Sequence, residues 1–111
     1  DKVVKAVNLA QAKAPQIALA GELQADAALR EDVAKRKMKE VGRVGGRANI
    51  LIFPDLNAAN ISYKLVNILA QAQALGPILQ GFNKPLSDLS RGVKVEEIIN
   101  IVSILIKGLK S

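Results

Sequence analysis

The segment Asn49-Ile50-Leu51-Ile52-Phe53 constrains the fold of this chain more than any other feature. β-Branched and aromatic residues dominate it, and Pro54 directly after it ends any regular element. An uninterrupted apolar run of this kind is typical of a strand covered on both faces, as strands of parallel sheets are. The segment therefore predicts a buried parallel strand.

Helical and strand patterns alternate along the rest of the chain. Apolar residues at helical spacing run from Val3 to Ala14 and stop at Pro15. A short apolar run from Gln16 to Ala20, which ends at Gly21, is consistent with a buried strand. The next predicted helix begins at Gln24 or Asp26, and its apolar residues are Ala27, Ala28, Leu29, Val33 and Ala34. Another predicted helix is capped by Asp55 or Asn57, and its apolar face consists of Ile61, Leu65, Ile68 and Ala72. An edge strand is predicted from Ala74 to Leu79, followed by a loop from Gln80 to Gly92. This order favours an α/β fold, a layered sheet of mainly parallel strands with flanking helices.

The closing helix is apolar over most of its circumference. Its predicted core stripe consists of Val95, Ile98, Ile99, Val102, Ile106 and Leu109, and Ile101, Ile104 and Leu105 broaden it. A helix of this type is enclosed by partners. We therefore expect additional polypeptide or a second subunit to surround it, and we expect the chain to be a fragment of something larger.

Composition excludes several kinds of site. The 111 residues include no histidine and no cysteine, which rules out a Ser-His-Asp triad, a cysteine nucleophile and thiolate or imidazole zinc sites within this chain. Proton transfer is left to carboxylates, lysines or Tyr63. The lack of disulfides suits a reducing cytosol, and neither a signal peptide nor a membrane span is recognisable. We expect a cytoplasmic protein without a membrane partner.

Residues 35–47 contain six basic residues and a single acidic one, Glu40, in a chain whose net charge is +6. This basic segment fits a solvated helix end, a site for a small phosphorylated ligand, or a nucleic-acid surface. The three aromatic residues of the chain all lie outside it, so the segment has no aromatic ring on which a nucleic-acid base could stack. We expect no nucleic-acid partner.

The segment from Lys84 to Gly92 predicts a functional site. A hydroxyl (Ser90), a guanidinium (Arg91) and a glycine (Gly92) come just before the closing helix, whose first N–H groups favour an anion. Arg91 can hold a phosphate or an oxyanion with two parallel hydrogen bonds. Glu97 follows about one helical turn later. The pattern predicts a site for an anionic substrate with a carboxylate beside it.

Each candidate residue also has a structural alternative. Ser90 suits a helix cap, Arg91 a surface cation, and Glu97 the first turn of a helix by dipole logic alone. Asp88 also suits a turn, and Lys84 suits solvent. Asp55 and Asn57 fit helix caps, or groups that line a cleft at the carboxyl end of a parallel strand.

Five segments together resemble the phosphate acetyltransferase and butyryltransferase family, the acetyl-transferring branch more than the butyryl one. They are Gly21 to Ala28, Gly46 to Ala58, Tyr63 to Leu65, Gly76 to Gly81, and Lys84 to Gly92. The resemblance covers nearly the whole chain and implies the C-terminal third of a longer enzyme. It implies a two-domain architecture like that of isocitrate and isopropylmalate dehydrogenases, with the active site in the cleft.

The resemblance also implies how the chain divides. Residues 1–80 would complete the second α/β domain, and residues 81–111 would form the active-site loop and a helix that returns to the first domain. The implied reaction moves an acetyl group between coenzyme A and phosphate, giving acetyl phosphate, in a homodimer. Coenzyme A is a co-substrate, and neither a tightly bound cofactor nor a metal is implied.

Carried over by position, Ser90 and Arg91 match a Ser-Arg pair in which the serine contacts the reacting group and the arginine stabilises negative charge. Glu97 stands where the family usually has an aspartate that assists thiol deprotonation. Lys84, Asp88, Gly92, Asp55 and Asn57 would contact substrate. Leu86-Ser87 replaces the usual Val-Asn. The alternatives are a phosphate butyryltransferase and a related regulatory domain attached to a malic enzyme.

Overall fold

The computed structural model describes residues 1–109. Their elements are α1 (Lys2–Lys13), α2 (Ala25–Leu29), α3 (Glu31–Lys37), α4 (Leu56–Leu69), β1 (Ile78–Leu79), β2 (Leu86–Ser87) and α5 (Val95–Gly108). The chain divides into two compact units, Asp1–Ala59 and Asn60–Ser111. The structure is thus a mixture of α-helices and β-strands, which is the coarser part of the predicted fold class. Lys110 and Ser111, the end of the predicted segment 81–111, lie outside the described residues.

The first unit begins with the predicted amphipathic helix. α1 ends at Lys13, just before Pro15, as predicted. Val3, Val7 and Ala10 are half-buried along one face, whereas Val4 is exposed. The Lys2 ammonium donates a hydrogen bond to the Pro54 carbonyl at 2.7 Å, which ties the start of α1 to the end of the 49–53 segment.

The second predicted helix is two short helices. Arg30 separates α2 from α3 in an extended conformation, with φ −123° and ψ 116°. The break has a hydrogen-bonding cause: the carbonyls of Ala27 and Ala28, which a continuous helix would use internally, accept the N–H groups of Gly46 and Ala48 at 2.8 and 3.0 Å. Of the five residues predicted for this unit's apolar core, Ala27, Ala28, Val33 and Ala34 are buried, whereas Leu29 is 51% exposed.

Gly46 makes this docking possible. Its φ of +73° lies in the left-handed region, and a β-carbon added there would stand 2.3 Å from Glu31 Cα. Such a contact is with rigid backbone, so neither side can yield easily. The close approach of Gly46 to the start of α3 therefore requires glycine.

The structure assigns no strand to residues 16–20 or 49–53, so the predicted parallel strands are not seen within residues 1–109. In this part of the chain no backbone N–H of residues 49–53 donates to another backbone carbonyl. Ile50 and Ile52 are 74% and 87% exposed. A strand needs a neighbour to complete its ladder, and the described residues supply none beside this segment.

The sheet that does form lies in the second unit. β1 and β2 pair antiparallel, with Ile78 opposite Ser87 and Leu79 opposite Leu86. The predicted strand from Ala74 to Leu79 is thus reduced to its last two residues, and the predicted loop after it contains its partner. β2 also contacts α5. The chain reverses after β1, so an antiparallel hairpin forms here instead of the predicted parallel pairing.

The residue that α5 buries lies beside the predicted core stripe, among the three that broaden it. Ile101 is 2% exposed, whereas Val95 and Ile99 of the predicted stripe are 74% and 60% exposed. Because almost every face of this helix is apolar, periodicity alone could not select the buried face. α4 is similarly open, with Ile61, Leu65 and Ile68 all more than half exposed. Within residues 1–109, no helix has the length and apolar character to cross a membrane.

Ion pairs surround the end of α3. Lys35 and Arg47 both bind Glu31, Arg30 and Arg36 bind Asp32, and Lys37 binds Asp26 at 2.7 Å. Four of the six basic residues of the 35–47 segment therefore have a carboxylate partner. Lys35, Arg36 and Lys37 also occupy the last turn of α3, where cations suit the helix dipole. These contacts favour the interpretation of the segment as a solvated helix end.

These cations lower the pKa values of their acidic partners. The hydrogen bond from Lys37 holds the pKa of Asp26 below its usual value. Lys35, with Arg47, lowers the pKa of Glu31, and Arg30 lowers the pKa of Asp32. All three carboxylates are at the surface, where such pairs contribute little at neutral pH and are screened by salt.

We expect Gly46→Ala to destabilise the protein much more than Gly42→Ala. Both positions have a positive φ, at a cost of about 1 kcal/mol for alanine, but nothing lies within 4 Å of a β-carbon at Gly42. The backbone clash at Gly46 should add about 1–3 kcal/mol. Urea unfolding measures both, and equal losses would contradict the close approach.

We expect acid to weaken the first unit through Asp26, Glu31 and Asp32. Each has a lowered pKa in the folded protein, so its contribution is present above its ordinary pKa and is lost as the pH falls through the lowered value. The free energy of unfolding should therefore fall below about pH 4.5, and less so in high salt. Lys37→Met should flatten this dependence, whereas Lys39→Met, which removes no ion pair among residues 1–109, should not. Identical pH profiles for the two variants would argue against the Asp26 pair.

Candidate functional site

The predicted site loop, residues 88–94, connects β2 to α5. The Val93 N–H donates to the Ser90 carbonyl at 3.1 Å. This closes a four-residue turn with Arg91 and Gly92 at its centre. The turn therefore presents the predicted Ser-Arg pair immediately before the first turn of α5.

Ser90 and Arg91 are both exposed. Arg91 forms no ion pair with any residue from 1 to 109. The Gly92 N–H is directed at the Ser90 hydroxyl, but their separation of 3.5 Å is longer than a usual N–H···O bond. The residue at the N-cap of α5 is Lys94, so the alternative that Ser90 caps this helix is wrong. The hydroxyl and the guanidinium are thus available for a ligand.

Glu97 lies in the first turn of α5 and is half-buried. Its Oε2 accepts the N–H of Lys94 at 2.8 Å, which satisfies one of the free backbone donors at the helix start. Glu97 thus occupies the first helical turn, as its structural alternative predicted, and it also caps the helix. Because only one carboxylate oxygen makes this bond, the other remains available for chemistry.

Two further predicted residues occupy the same unit. The Asp88 carboxylate accepts the Leu89 N–H at 2.8 Å, which is the turn-forming alternative. Lys84 lies on the connection between β1 and β2, is exposed, and forms no ion pair within the described residues. Asp88, Ser90, Arg91 and Gly92 share one loop, and Glu97 follows on α5.

Asp55 and Asn57 lie in the first unit. The Asp55 carboxylate accepts the Ala58 N–H at 2.8 Å and so caps α4, as its structural alternative predicted. Asn57 is exposed in the first turn of that helix. Their predicted role in substrate binding stays a prediction.

Ser87 contributes to the structure beside the site, although no pattern in the sequence predicts it. Its hydroxyl donates to the Pro77 carbonyl at 2.6 Å, across the β1–β2 hairpin. A two-residue strand is too short to show a period, so the pairing could not be read from the sequence. The available signal in the sequence was that Leu86-Ser87 replaces the Val-Asn usual in the family that the sequence resembles.

The sequence of the chain matches the model of the phosphate acetyl/butaryl transferase family over residues 1–106. The chain therefore belongs to this family, which confirms the resemblance found in the sequence.

Curated relatives agree with this family. The chain is 54% identical over 104 residues to a phosphate acetyltransferase of Acetivibrio thermocellus, 52% identical over 104 residues to one of Helicobacter pylori, and 45% identical over 104 residues to one of Bacillus subtilis. Each alignment covers 94% of this chain but only 31%, 20% and 32% of the respective relative. The chain thus spans about a third or less of the length of these relatives.

Proposed function

We propose that this chain is part of an acyltransferase that moves an acetyl group between coenzyme A and inorganic phosphate. The observation that carries the proposal is the exposed Ser90–Arg91 turn at the start of α5, in a chain of the phosphate acetyl/butaryl transferase family. The relatives described above are named phosphate acetyltransferases, which favours acetyl over butyryl as the transferred group.

The residues of the turn suit this chemistry. The thiol of coenzyme A attacks the carbonyl of acetyl phosphate as a thiolate, and negative charge develops on the carbonyl oxygen of the tetrahedral intermediate. Collapse of this intermediate forms the thioester and releases phosphate. Arg91 and the Ser90 hydroxyl are donors of the right type for that oxygen, and one well-placed donor contributes about 3–4 kcal/mol to transition-state stabilisation.

Proton transfer from the thiol is assigned to Glu97. A free thiol has a pKa of about 8.5, so a base or a cation must promote its ionisation at neutral pH. Glu97 holds the Lys94 N–H with Oε2, which orients the carboxylate while Oε1 is left to accept a proton. Lys84, Asp88, Gly92, Asp55 and Asn57 are assigned to substrate binding.

We further propose that the complete protein has two α/β domains of the isocitrate and isopropylmalate dehydrogenase type and forms a cytoplasmic homodimer. Residues 1–80 would complete the second domain, and residues 81–111 would return to the first. The exposure of Ile50, Ile52, Val95 and Ile99 supports this division, since each would be covered by the remaining polypeptide. The open backbone of residues 49–53 would then join a parallel sheet.

In the complete protein, Arg91→Ala should lower kcat for thioester formation from acetyl phosphate and coenzyme A by about 100- to 1,000-fold, because a donor to the developing charge is lost. Arg43→Ala is the matched control: Arg43 is also an exposed arginine without an ion pair among residues 1–109, and its loss should leave the rate unchanged. A loss below about tenfold for Arg91→Ala would argue against its role. A raised KM for Arg43→Ala would instead favour a phosphate site in the basic segment.

A comparison of Glu97→Gln with Glu97→Ala should distinguish the capping role of Glu97 in α5 from its proposed role as a base. Glutamine still accepts the Lys94 N–H, so it should keep the stability of the wild type, whereas alanine should lose about 1 kcal/mol of unfolding free energy. Both should be slow at neutral pH, and both should recover rate as the pH approaches about 8.5, where the thiol ionises unaided. A glutamine variant with full activity at pH 7 would dismiss Glu97 as the base.

A further inference from the structure

The position of Ser87 gives its hydroxyl a specific task. Ser87 lies in β2 opposite Ile78, and its Oγ is 2.6 Å from the Pro77 carbonyl and 3.1 Å from the carbonyl of Asp88. A hydroxyl has one proton to donate, and the shorter contact is to Pro77. The side chain therefore ties β2 to the residue just before β1.

This bond supplements a very short sheet. The β1–β2 ladder contains two residue pairs, Ile78 with Ser87 and Leu79 with Leu86. β2 also contacts α5. Pro85, directly before β2, lies near the end of α5, because a β-carbon added to Gly108 would stand 3.6 Å from Pro85 Cγ. A ladder of this length offers few backbone bonds, so a side-chain bond across it has a large share in fixing β2.

Within the loop that follows β2, the bond from the Val93 N–H to the Ser90 carbonyl is local, so the attachment of the loop to its neighbours depends on its two ends. Glu97 binds the Lys94 N–H at one end, and Ser87 binds Pro77 at the other. Between them, Arg91 forms no ion pair with residues 1–109, and the Gly92 N–H approaches the Ser90 hydroxyl only to 3.5 Å. The location of Ser90 and Arg91 thus depends on where β2 and α5 hold the ends of the loop.

We propose that Ser87 is a positioning residue for the reaction: its hydrogen bond to Pro77 sets the place of Ser90 and Arg91 relative to α5. This inference rests on the proposed function. Ser87 touches no reacting atom in this account and acts through the loop alone.

The test compares Ser87→Ala with Ser87→Thr in the complete protein. Alanine removes the donor, and kcat should fall by about 10- to 100-fold with little change in KM, because displaced catalytic groups lose transition-state contacts. Threonine keeps the hydroxyl and suits a strand, so it should restore most of the rate. Ser103→Ala is the matched control: Ser103 Oγ donates to the Ile99 carbonyl at 2.8 Å within α5. Its kcat should not change.

A double variant shows whether Ser87 acts through Arg91. In an Arg91→Ala background, Ser87→Ala should lower kcat far less than it does alone, because the group to be positioned is absent. A merely structural role would give equal losses in both backgrounds and would overturn the proposal. Full activity of Ser87→Ala, or no rescue by threonine, would overturn it as well.

Thermal unfolding midpoints of every variant show which of them fold. If Ser87→Ala does not fold, Ser87→Cys replaces it, because a thiol is a weaker hydrogen-bond donor than a hydroxyl. The kcat of Ser87→Cys should then lie between the wild-type value and the value expected for alanine, which is about 10- to 100-fold lower. A wild-type kcat for Ser87→Cys together with a slow Ser87→Thr would count against the hydrogen bond. The Arg91→Ala result distinguishes a failure of the proposed function from a failure of the role proposed for Ser87. An unaffected Arg91→Ala enzyme contradicts the proposed function, whereas a slow Arg91→Ala with a fast Ser87→Ala contradicts the role of Ser87 alone.

Discussion

The structure depends on how little chain is available to cover its apolar side chains. Half of the residues are apolar, yet within residues 1–109 the buried hydrophobic side chains are Ala27, Ala28, Val33, Ala34 and Ile101. Four of these have small or medium side chains, so the buried area is modest. The exposed faces of α4 and α5 and the open 49–53 segment all follow from this shortage. The relatives named above are about three or more times longer than this chain.

Within the first unit, backbone hydrogen bonds have more influence than side-chain burial. The carbonyls of Ala27 and Ala28 bind Gly46 and Ala48 rather than the next helical turn, which splits the predicted helix at Arg30. The break removes the helical bonds to the carbonyls of Ala27, Ala28 and Leu29, and the loop supplies new donors to the first two. Glycine at position 46 decides the outcome, because its missing side chain lets the loop approach Glu31.

In the second unit, side chains that stabilise the structure are also the ones proposed to take part in the reaction. Glu97 caps α5 with Oε2, and its proposed role as a base would use Oε1. The turn that displays Arg91 is closed by a backbone bond from Val93. The structural and functional interpretations of Glu97 are therefore not alternatives. For Asp55 and Asp88, by contrast, the structure supplies the capping and turn-forming contacts, and their substrate roles rest on the proposed function.

The sequence by itself determined the family, the positions of α1, α4 and α5 to within a few residues, the core alanines of α2 and the loop that carries Ser90 and Arg91. These are local properties, set by periodicity, capping residues and motif spacing. Tertiary structure alone decided the break at Arg30, the antiparallel partner of Ile78, the bond between Ser87 and Pro77, and the choice of Ile101 as the buried residue of α5. Each of these depends on which distant segment arrives to accept a hydrogen bond or cover a face. The parallel strand predicted at 49–53 shows the limit of local reasoning: its residues favour extended backbone, but a ladder also needs a neighbour.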